Sequence, residues 1–146
     1  MNRQNVYNQL KIGEGVKYEV YNDHLGLPTV GVGHLILTED AEYGKPLGTP
    51  ITEERSAELF EQDLDLAISE AKKLYDDFDE LPDEVQEIIV NMVFNMGRPR
   101  LAKFVGMRRG VDARDWQAAA DEMVDSKWYR QVTNRAERLV KRMRNV

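Results

Sequence analysis

The spacing of apolar residues in the first quarter of the chain predicts a helix followed by a β-hairpin. Residues 3–12 carry apolar side chains at helical spacing, and the glycines on either side of Glu14 disfavour further helix. From Lys17 the period becomes two, which predicts a strand that ends at a turn containing Asp23. The β-branched and glycine-rich segment 29–34 predicts the return strand. We therefore expect Glu14 at a helix end and Asp23 in a nearby hairpin.

The rest of the chain shows helical periodicity. After a loop over residues 35–50, Thr52 can cap a long helix with an acidic first turn, and the apolar face of this helix continues to Tyr75. Pro82 suits the first turn of a second helix, apolar nearly all round, that Gly97 ends. Further helices are predicted around three apolar groups: Leu101 to Phe104; Trp116, Ala119, Ala120 and Met123; and Ala136, Leu139, Val140 and Met143.

These elements predict an α+β fold in which helices predominate. The 146 residues, 42% of them hydrophobic, are enough for one compact domain over residues 1–146. Within it we expect a small N-terminal lobe of about residues 13–60 that holds the antiparallel hairpin. The long helix would join it to a helical lobe of about residues 75–146, to which the first helix also belongs.

Composition excludes several kinds of chemistry. The chain has no cysteine, which removes disulfides, thiolate nucleophiles and cysteine-bound zinc, and which fits production in a reducing compartment. With only two histidines it lacks the usual ligands of a zinc amidase. Walker, dinucleotide-binding and Gly-x-Ser-x-Gly patterns are also absent. We therefore expect no metal and no cofactor.

Charge is distributed unevenly along the chain. Residues 1–97 hold 20 acidic and 7 basic residues, whereas residues 98–146 hold 6 acidic and 13 basic ones. Such a basic half could hold a polyanion. However, no helix-turn-helix spacing, zinc ligand set or stacking-aromatic motif accompanies it, so we do not expect nucleic-acid binding. The start of the chain has no apolar run long enough for a signal peptide or membrane helix, which predicts cytoplasmic synthesis without stable membrane binding.

Glu14 and Asp23 are candidates for a pair of catalytic carboxyl groups. Hydrolysis of a glycosidic bond needs one protonated acid at the leaving oxygen and one ionised group that activates water or attacks carbon. A helix end and a neighbouring hairpin can direct two such groups into one cleft. Spacing alone is weak evidence for the pair, because the chain contains 26 acidic residues.

A longer motif adds to this evidence. Glu14-Gly15 is followed in residues 23–34 by the pattern D-x-x-G-x-x-T-x-G-x-G-H. This combination resembles the signature of the phage-type lysozymes (endolysins) of glycoside hydrolase family 24. The resemblance continues in order through residues 52–63, 91–97, 126–129 and 134–136, so it covers nearly the whole chain.

The resemblance implies a role for each of three residues. Glu14 would be the general acid, Asp23 the base that orients water, and Thr29 the hydroxyl that holds this water beside Asp23. The reaction implied is hydrolysis, with inversion, of the β-1,4 bond between N-acetylmuramic acid and N-acetylglucosamine in bacterial peptidoglycan. In an inverting enzyme the two carboxyl groups should lie roughly 6.5 to 9.5 Å apart to admit water.

Supporting roles are also implied. His34 would be structural and pair with Asp63 on the long helix, and Arg135 would pair with Glu14 across the cleft. The residues implied to line the cleft are Leu35, Phe94 and Asn95. Two further positions depart from the family, because Met107 and Glu122 stand where smaller or neutral polar residues are usual.

The resemblance further implies a monomer that lyses the host cell. A holin-type release factor would open the membrane so that the enzyme reaches the periplasmic cell wall. Two alternatives stay open: a wall-binding or tail-structural module without catalysis, and a lytic transglycosylase, which uses one glutamate and adds no water. The presence of Asp23 and Thr29 favours hydrolysis.

Overall fold

The computed structural model describes residues 1–146 and confirms a mostly helical α+β fold. The helices are α1 Arg3–Glu14, α2 Glu53–Leu74, α3 Asp83–Met96, α4 Arg98–Leu101, α5 Val105–Asp112, α6 Trp116–Val124, α7 Lys127–Gln131 and α8 Thr133–Arg144, with a 3₁₀ helix at Phe78–Glu80. The strands β1 Lys17–Asn22, β2 Pro28–Gly31 and β3 His34–Leu35 form one antiparallel sheet in that order. None of the helices combines the length and the apolar character needed to cross a membrane.

The chain divides into two compact units. Residues 7–66 form the first, called here the sheet unit because it contains all three strands. Residues 1–6 and 67–146 form the second, called here the helical unit. Both boundaries between the units fall inside helices, so α1 and α2 each contribute residues to both.

The hairpin of the sheet unit is shorter than the sequence predicts. β1 and β2 pair with Tyr21 directly opposite Thr29. The expected return strand over residues 29–34 is not continuous, because β2 ends at Gly31 and the chain turns before β3 begins. Gly31 and Gly33 have φ angles of +64° and +63°, a left-handed conformation that glycine adopts without the steric cost of a Cβ atom. These two glycines therefore fold the predicted strand into two.

Beneath the sheet lies a small apolar core. It consists of Val20, Val30, Ile36 and Leu59, with Ile51 packed against it. The start of α2 is capped as the sequence predicts, since the Thr52 hydroxyl oxygen accepts the N–H of Arg55 at 3.0 Å. Arg55 also donates from Nε and Nη2 to the two carboxylate oxygens of Glu42, at 2.9 and 3.0 Å. This paired contact fastens the loop that precedes the helix.

In the helical unit α3 is the central core helix, as predicted. Every residue from Val85 to Val93 is buried, so the helix has no solvent-exposed face over these two and a half turns. The apolar face of α8 is also buried, with Ala136, Leu139, Val140 and Met143 in the interior. The free energy of folding of this unit therefore comes mainly from apolar burial.

Two helices differ from the prediction. The expected helix from Leu101 to Phe104 is wrong, because α4 ends at Leu101 and Phe104 only precedes the first turn of α5. The pattern also missed α7, which is only five residues long. Its signal is the cap, where the Ser126 hydroxyl oxygen accepts the N–H of Tyr129 at 3.1 Å.

Candidate active site

Glu14 is the last residue of α1, and its side chain is half-buried. The helix ends because Gly15 has a φ of +76°, while its N–H still donates to the carbonyl of Lys11 at 2.8 Å. The Glu14 side chain lies over the backbone of Gly33: a Cβ atom at Gly33 would be 2.9 Å from Oε2 and 3.3 Å from the glutamate Cβ. Only glycine lets the turn before β3 approach this carboxyl group so closely.

Asp23 begins the hairpin turn and is fixed by backbone donors. Its Oδ1 accepts the N–H groups of Leu25 at 2.8 Å and Leu27 at 2.9 Å. The N–H of Leu27 is the main cause that lowers the pKa of the Asp23 carboxyl group below its usual range. Burial opposes this effect, and the N–H of Leu25 and His24 add to it. Asp23 is therefore a carboxylate at neutral pH, and both of these hydrogen bonds fall on one oxygen.

Thr29 is buried at the start of β2 and shares a partner with Asp23. Its hydroxyl donates to the carbonyl of Leu27 at 2.9 Å, and the same carbonyl accepts the backbone N–H of Asp23 at 2.9 Å. The Leu27 backbone thus binds both residues, through its N–H and its C=O. Since these contacts involve no side chain of Leu27, sequence reasoning could not identify this residue as part of the site.

Tyr21 is a second residue that sequence reasoning missed. It is half-buried on β1, and the Lys17 ammonium lies 4.6 Å from the centre of its ring. Burial raises the pKa of the Tyr21 hydroxyl, and the negative charges of Glu14 and Asp23 raise it further. Its position opposite Thr29 follows only from the register of β1 and β2.

His34 lies between two carboxylates, a group called here the histidine clamp: His34, Asp40 and Asp63. Nδ1 of the buried imidazole is 2.7 Å from Asp63 Oδ2, and Nε2 is 2.7 Å from Asp40 Oδ2. Burial acts to lower the pKa of His34, but the hydrogen bonds and charges of Asp63 and Asp40 outweigh it, so the pKa is raised. The resemblance implied Asp63 as a partner, whereas Asp40, in the loop after β3, was missed.

The pKa of Asp40 is lowered for the corresponding reason. Burial acts to raise it, but the N–H of Leu37, at 2.7 Å from Oδ2, and the neighbouring His34 outweigh this effect. The clamp therefore combines an imidazolium with a carboxylate in a partly buried position. It ties the start of β3 to both the following loop and α2.

The residues implied to line the cleft lie on different elements. Leu35 is exposed on β3, and Phe94 is half-buried on α3. The side-chain oxygen of Asn95 accepts the indole N–H of Trp128 at 2.8 Å. Leu35 belongs to the sheet unit and the other two to the helical unit, so their joint contact with a substrate stays a prediction.

Arg135 is buried in the helical unit, where its Nη2 donates to Asn91 Oδ1 at 3.0 Å. Since Glu14 belongs to the sheet unit, the implied pairing of these two residues also stays a prediction.

The two departures from the family differ in exposure. Met107 is completely buried in α5, while Glu122 is exposed with its carboxylate against the backbone of Gly106.

Comparison with known proteins identifies the family. Residues 11–145 match the model of the phage lysozyme family. The chain is 31% identical to probable T4-type lysozyme 1 of Dictyostelium discoideum, over 92% of this chain and 91% of that protein. It is 31% identical to the endolysin of Salmonella phage P22, over 77% of this chain and 74% of that protein. A third relative is the pre-baseplate central spike protein Gp5 of Enterobacteria phage T4, to which the chain is 35% identical. The match covers 89% of this chain but only 26% of the spike protein. Because the family model matches nearly all of it, this chain belongs to the phage lysozyme family and is a glycoside hydrolase.

Proposed function

We propose that this chain hydrolyses the β-1,4 bond between N-acetylmuramic acid and N-acetylglucosamine in bacterial peptidoglycan, with inversion at the anomeric carbon. Membership of the phage lysozyme family supports peptidoglycan as the substrate. The choice of an inverting reaction rests on the pairing of Asp23 with Thr29, which suits the positioning of a water molecule rather than direct attack by a carboxylate.

In the proposed reaction Glu14 gives its proton to the glycosidic oxygen as the bond from this oxygen to the anomeric carbon breaks. A water molecule attacks that carbon from the opposite side of the sugar ring and passes its proton to Asp23. Glu14 ends as a carboxylate and Asp23 as a carboxylic acid, and proton exchange with solvent restores both. General acid catalysis of this kind contributes about 10² to 10⁴ in rate.

The observation that carries the proposal is the shared use of the Leu27 backbone. Its N–H donates to the Asp23 carboxylate, and its carbonyl accepts the N–H of Asp23 and the hydroxyl of Thr29. These three hydrogen bonds hold the carboxylate and the hydroxyl in a fixed relation. Since the Thr29 proton is directed at Leu27, its oxygen has lone pairs for a proton of the attacking water. Asp23 Oδ2, which is outside the two turn hydrogen bonds, would take the other proton.

The biological role that we propose is that of a monomeric endolysin, which reaches the wall after a holin-type factor opens the membrane. Similarity to the endolysin of Salmonella phage P22 over most of both chains supports it. Similarity to the spike protein of phage T4 favours a second role, that of a wall-cutting domain carried by the virion, because this chain matches only 26% of that longer protein. Mass spectrometry of purified virions distinguishes the two roles: peptides of this chain in the particle would favour the second.

The mechanism is tested by replacing Thr29 with a residue that can itself attack the sugar. In Thr29→Glu a carboxylate would stand where the water is held, so it should form a covalent glycosyl ester and trap the sugar. The measurement is the intact mass of the variant after incubation with purified peptidoglycan. We expect an added mass of disaccharide-peptide size on Thr29→Glu and none on wild type.

Two further variants serve as controls. Glu14→Gln, Thr29→Glu should stay unmodified, because the amide cannot protonate the leaving oxygen. Thr38→Glu changes an exposed loop threonine in the same unit and should also stay unmodified. An unmodified, normally active Thr29→Glu would show that Thr29 does not face the attacked carbon. Wild-type turbidity clearance by Glu14→Gln would remove Glu14 from the role of acid.

A further inference from the structure

Tyr21 lies on the same face of the hairpin as Thr29, one of the proposed catalytic residues. Residues directly opposite each other in an antiparallel pair project to one face, and Tyr21 is opposite Thr29. Asp23 lies in the turn directly after β1, and its charge acts on the Tyr21 hydroxyl. Glu14 is close enough for its charge to act on the Tyr21 hydroxyl. The phenol thus belongs to the group of side chains around the scissile bond.

The side chain of Tyr21 is held in place through its ring, which leaves the hydroxyl for another partner. The Lys17 ammonium lies over the ring at 4.6 Å, an attraction to the π face that restricts the ring orientation. Burial and the charges of Glu14 and Asp23 raise the pKa of the hydroxyl. Since these effects keep it protonated, it is a hydrogen-bond donor at any pH at which the enzyme works.

We propose that Tyr21 is a substrate-binding residue that donates a hydrogen bond to the acetamido carbonyl of the sugar bound against Asp23 and Thr29. This proposal rests on the proposed function, since it places a sugar of peptidoglycan at that position. No residue of the family signature found in the sequence covers Tyr21, which lies just before its aspartate.

The electrostatic surroundings select the kind of acceptor. The Asp23 carboxylate close to the phenol repels an anionic substrate group, such as a lactyl or peptide carboxylate. A neutral acceptor meets no such repulsion, and an amide carbonyl is the strongest neutral acceptor that both sugars of peptidoglycan carry. The site is therefore suited to an N-acetylated sugar.

The first test is Tyr21→Phe, which keeps the ring and its contact with Lys17 but removes the hydroxyl. On soluble glycan strands freed of stem peptides, we expect KM to rise about 5-fold with kcat nearly unchanged. The reason is that the variant loses one neutral hydrogen bond that is made equally to substrate and transition state. The matched control is Tyr18→Phe, an exposed tyrosine of the same strand. It should leave both constants unchanged, and thermal unfolding of both variants should match wild type.

The second test identifies the acceptor. On glycan strands from which the acetyl groups have been removed chemically, wild type and Tyr21→Phe should have the same KM, because the carbonyl is gone from the substrate. Persistence of the 5-fold difference on these strands would overturn the acetamido assignment. An unchanged KM of Tyr21→Phe on the N-acetylated strands would overturn the proposal as a whole.

A binding measurement separates this proposal from the proposed mechanism. Calorimetry with N-acetylated strands compares Glu14→Gln with Glu14→Gln, Tyr21→Phe, so that no turnover is needed. We expect about 5-fold weaker binding by the double variant. Equal affinities would overturn the role of Tyr21 whatever the role of Glu14. A normally active Glu14→Gln would instead reject the mechanism, while the affinity difference would still report on Tyr21.

Discussion

The two units of the molecule are stabilised in different ways. The helical unit is built around α3, whose residues 85–93 are all buried. The sheet unit has far fewer buried apolar residues and is also held by polar contacts: the histidine clamp, the Arg55–Glu42 pair and the bonds to the Leu27 backbone. Residues 7–66 contain 12 acidic and 4 basic residues, a formal charge of −8, whereas the rest contain 14 and 16, a charge of +2.

This difference separates stability from catalysis. The contribution of apolar packing to the free energy of folding does not depend on pH. Such packing therefore suits a unit that provides stability. Hydrogen bonds are directional, so they can fix a carboxylate and a hydroxyl to within a few tenths of an ångström. The proposed catalytic groups Glu14, Asp23 and Thr29 all lie in the unit that is held by directional bonds. Substitutions in the two units should therefore affect different properties.

The largest effect on stability is expected in the helical unit. Ile88→Ala removes a completely buried side chain from α3 and should lower the free energy of unfolding by about 3 kcal/mol, from lost burial and the cavity left behind. Activity below the unfolding transition should stay normal, because no proposed catalytic group is displaced. Urea unfolding followed by circular dichroism measures the change. Leu66→Ala, at an exposed position, is the control and should cost less than about 0.5 kcal/mol.

The reverse result is expected for Gly33→Ala in the sheet unit. The new Cβ atom would lie 2.9 Å from Glu14 Oε2, so the carboxyl group must move, and a displacement of this size can lower kcat/KM by about 100-fold. Gly44→Ala is the matched control, because Gly44 also has a positive φ, +77°, but no atom within 4 Å of the added Cβ. Both variants should be destabilised by about 1 kcal/mol. Equal activity of the two would show that Gly33 serves only the turn.

The smallest of the three effects concerns the histidine clamp and depends on pH. The pKa of His34 is raised above 6.5, so its contribution to stability is complete below pH 6.5 and is lost as the pH rises through the folded value. The pKa of Asp40 is lowered below 3.8, so its contribution is complete above pH 3.8 and is lost as the pH falls through the folded value. The clamp should therefore stabilise most between pH 3.8 and 6.5.

His34→Asn tests this pH window. In that range we expect the variant to lose about 2 kcal/mol, the contribution of hydrogen bonds to a charged group, and the difference from wild type should shrink at both higher and lower pH. The measurement is urea unfolding at a series of pH values. His24→Asn, at the exposed histidine of the chain, should follow wild type throughout. A His34→Asn difference that is constant with pH would mean that the clamp acts by packing alone.

The parts of the fold that the sequence predicted are those in which local signals are strong. The Thr52 cap and its acidic first turn placed the start of α2, and the run of apolar residues after Pro82 identified α3 as a core helix. The Glu14–Asp23–Thr29 set followed from a motif whose side chains are themselves the chemical groups. Each of these features is local in sequence or carried by residue type.

The features that were missed depend on contacts between distant residues. The predicted return strand was too long because its alternating β-branched residues outweighed Gly31 and Gly33. Their positive φ angles accompany close approaches of the distant residues Ser56 and Glu14. Asp40 lies in a loop without periodicity, and nothing in its neighbourhood indicates that its carboxylate reaches His34. Tyr21 resembles any strand aromatic until its register with Thr29 is known.

The contacts of Leu27 have a consequence for how the active site should be mapped. Its side chain is 42% exposed and takes no part in holding Asp23 and Thr29. Alanine scanning would therefore leave both contacts in place and would not detect them. Of the encoded amino acids only proline removes the N–H that Asp23 uses. An amide-to-ester exchange, introduced by chemical ligation, would remove the same donor without changing any side chain.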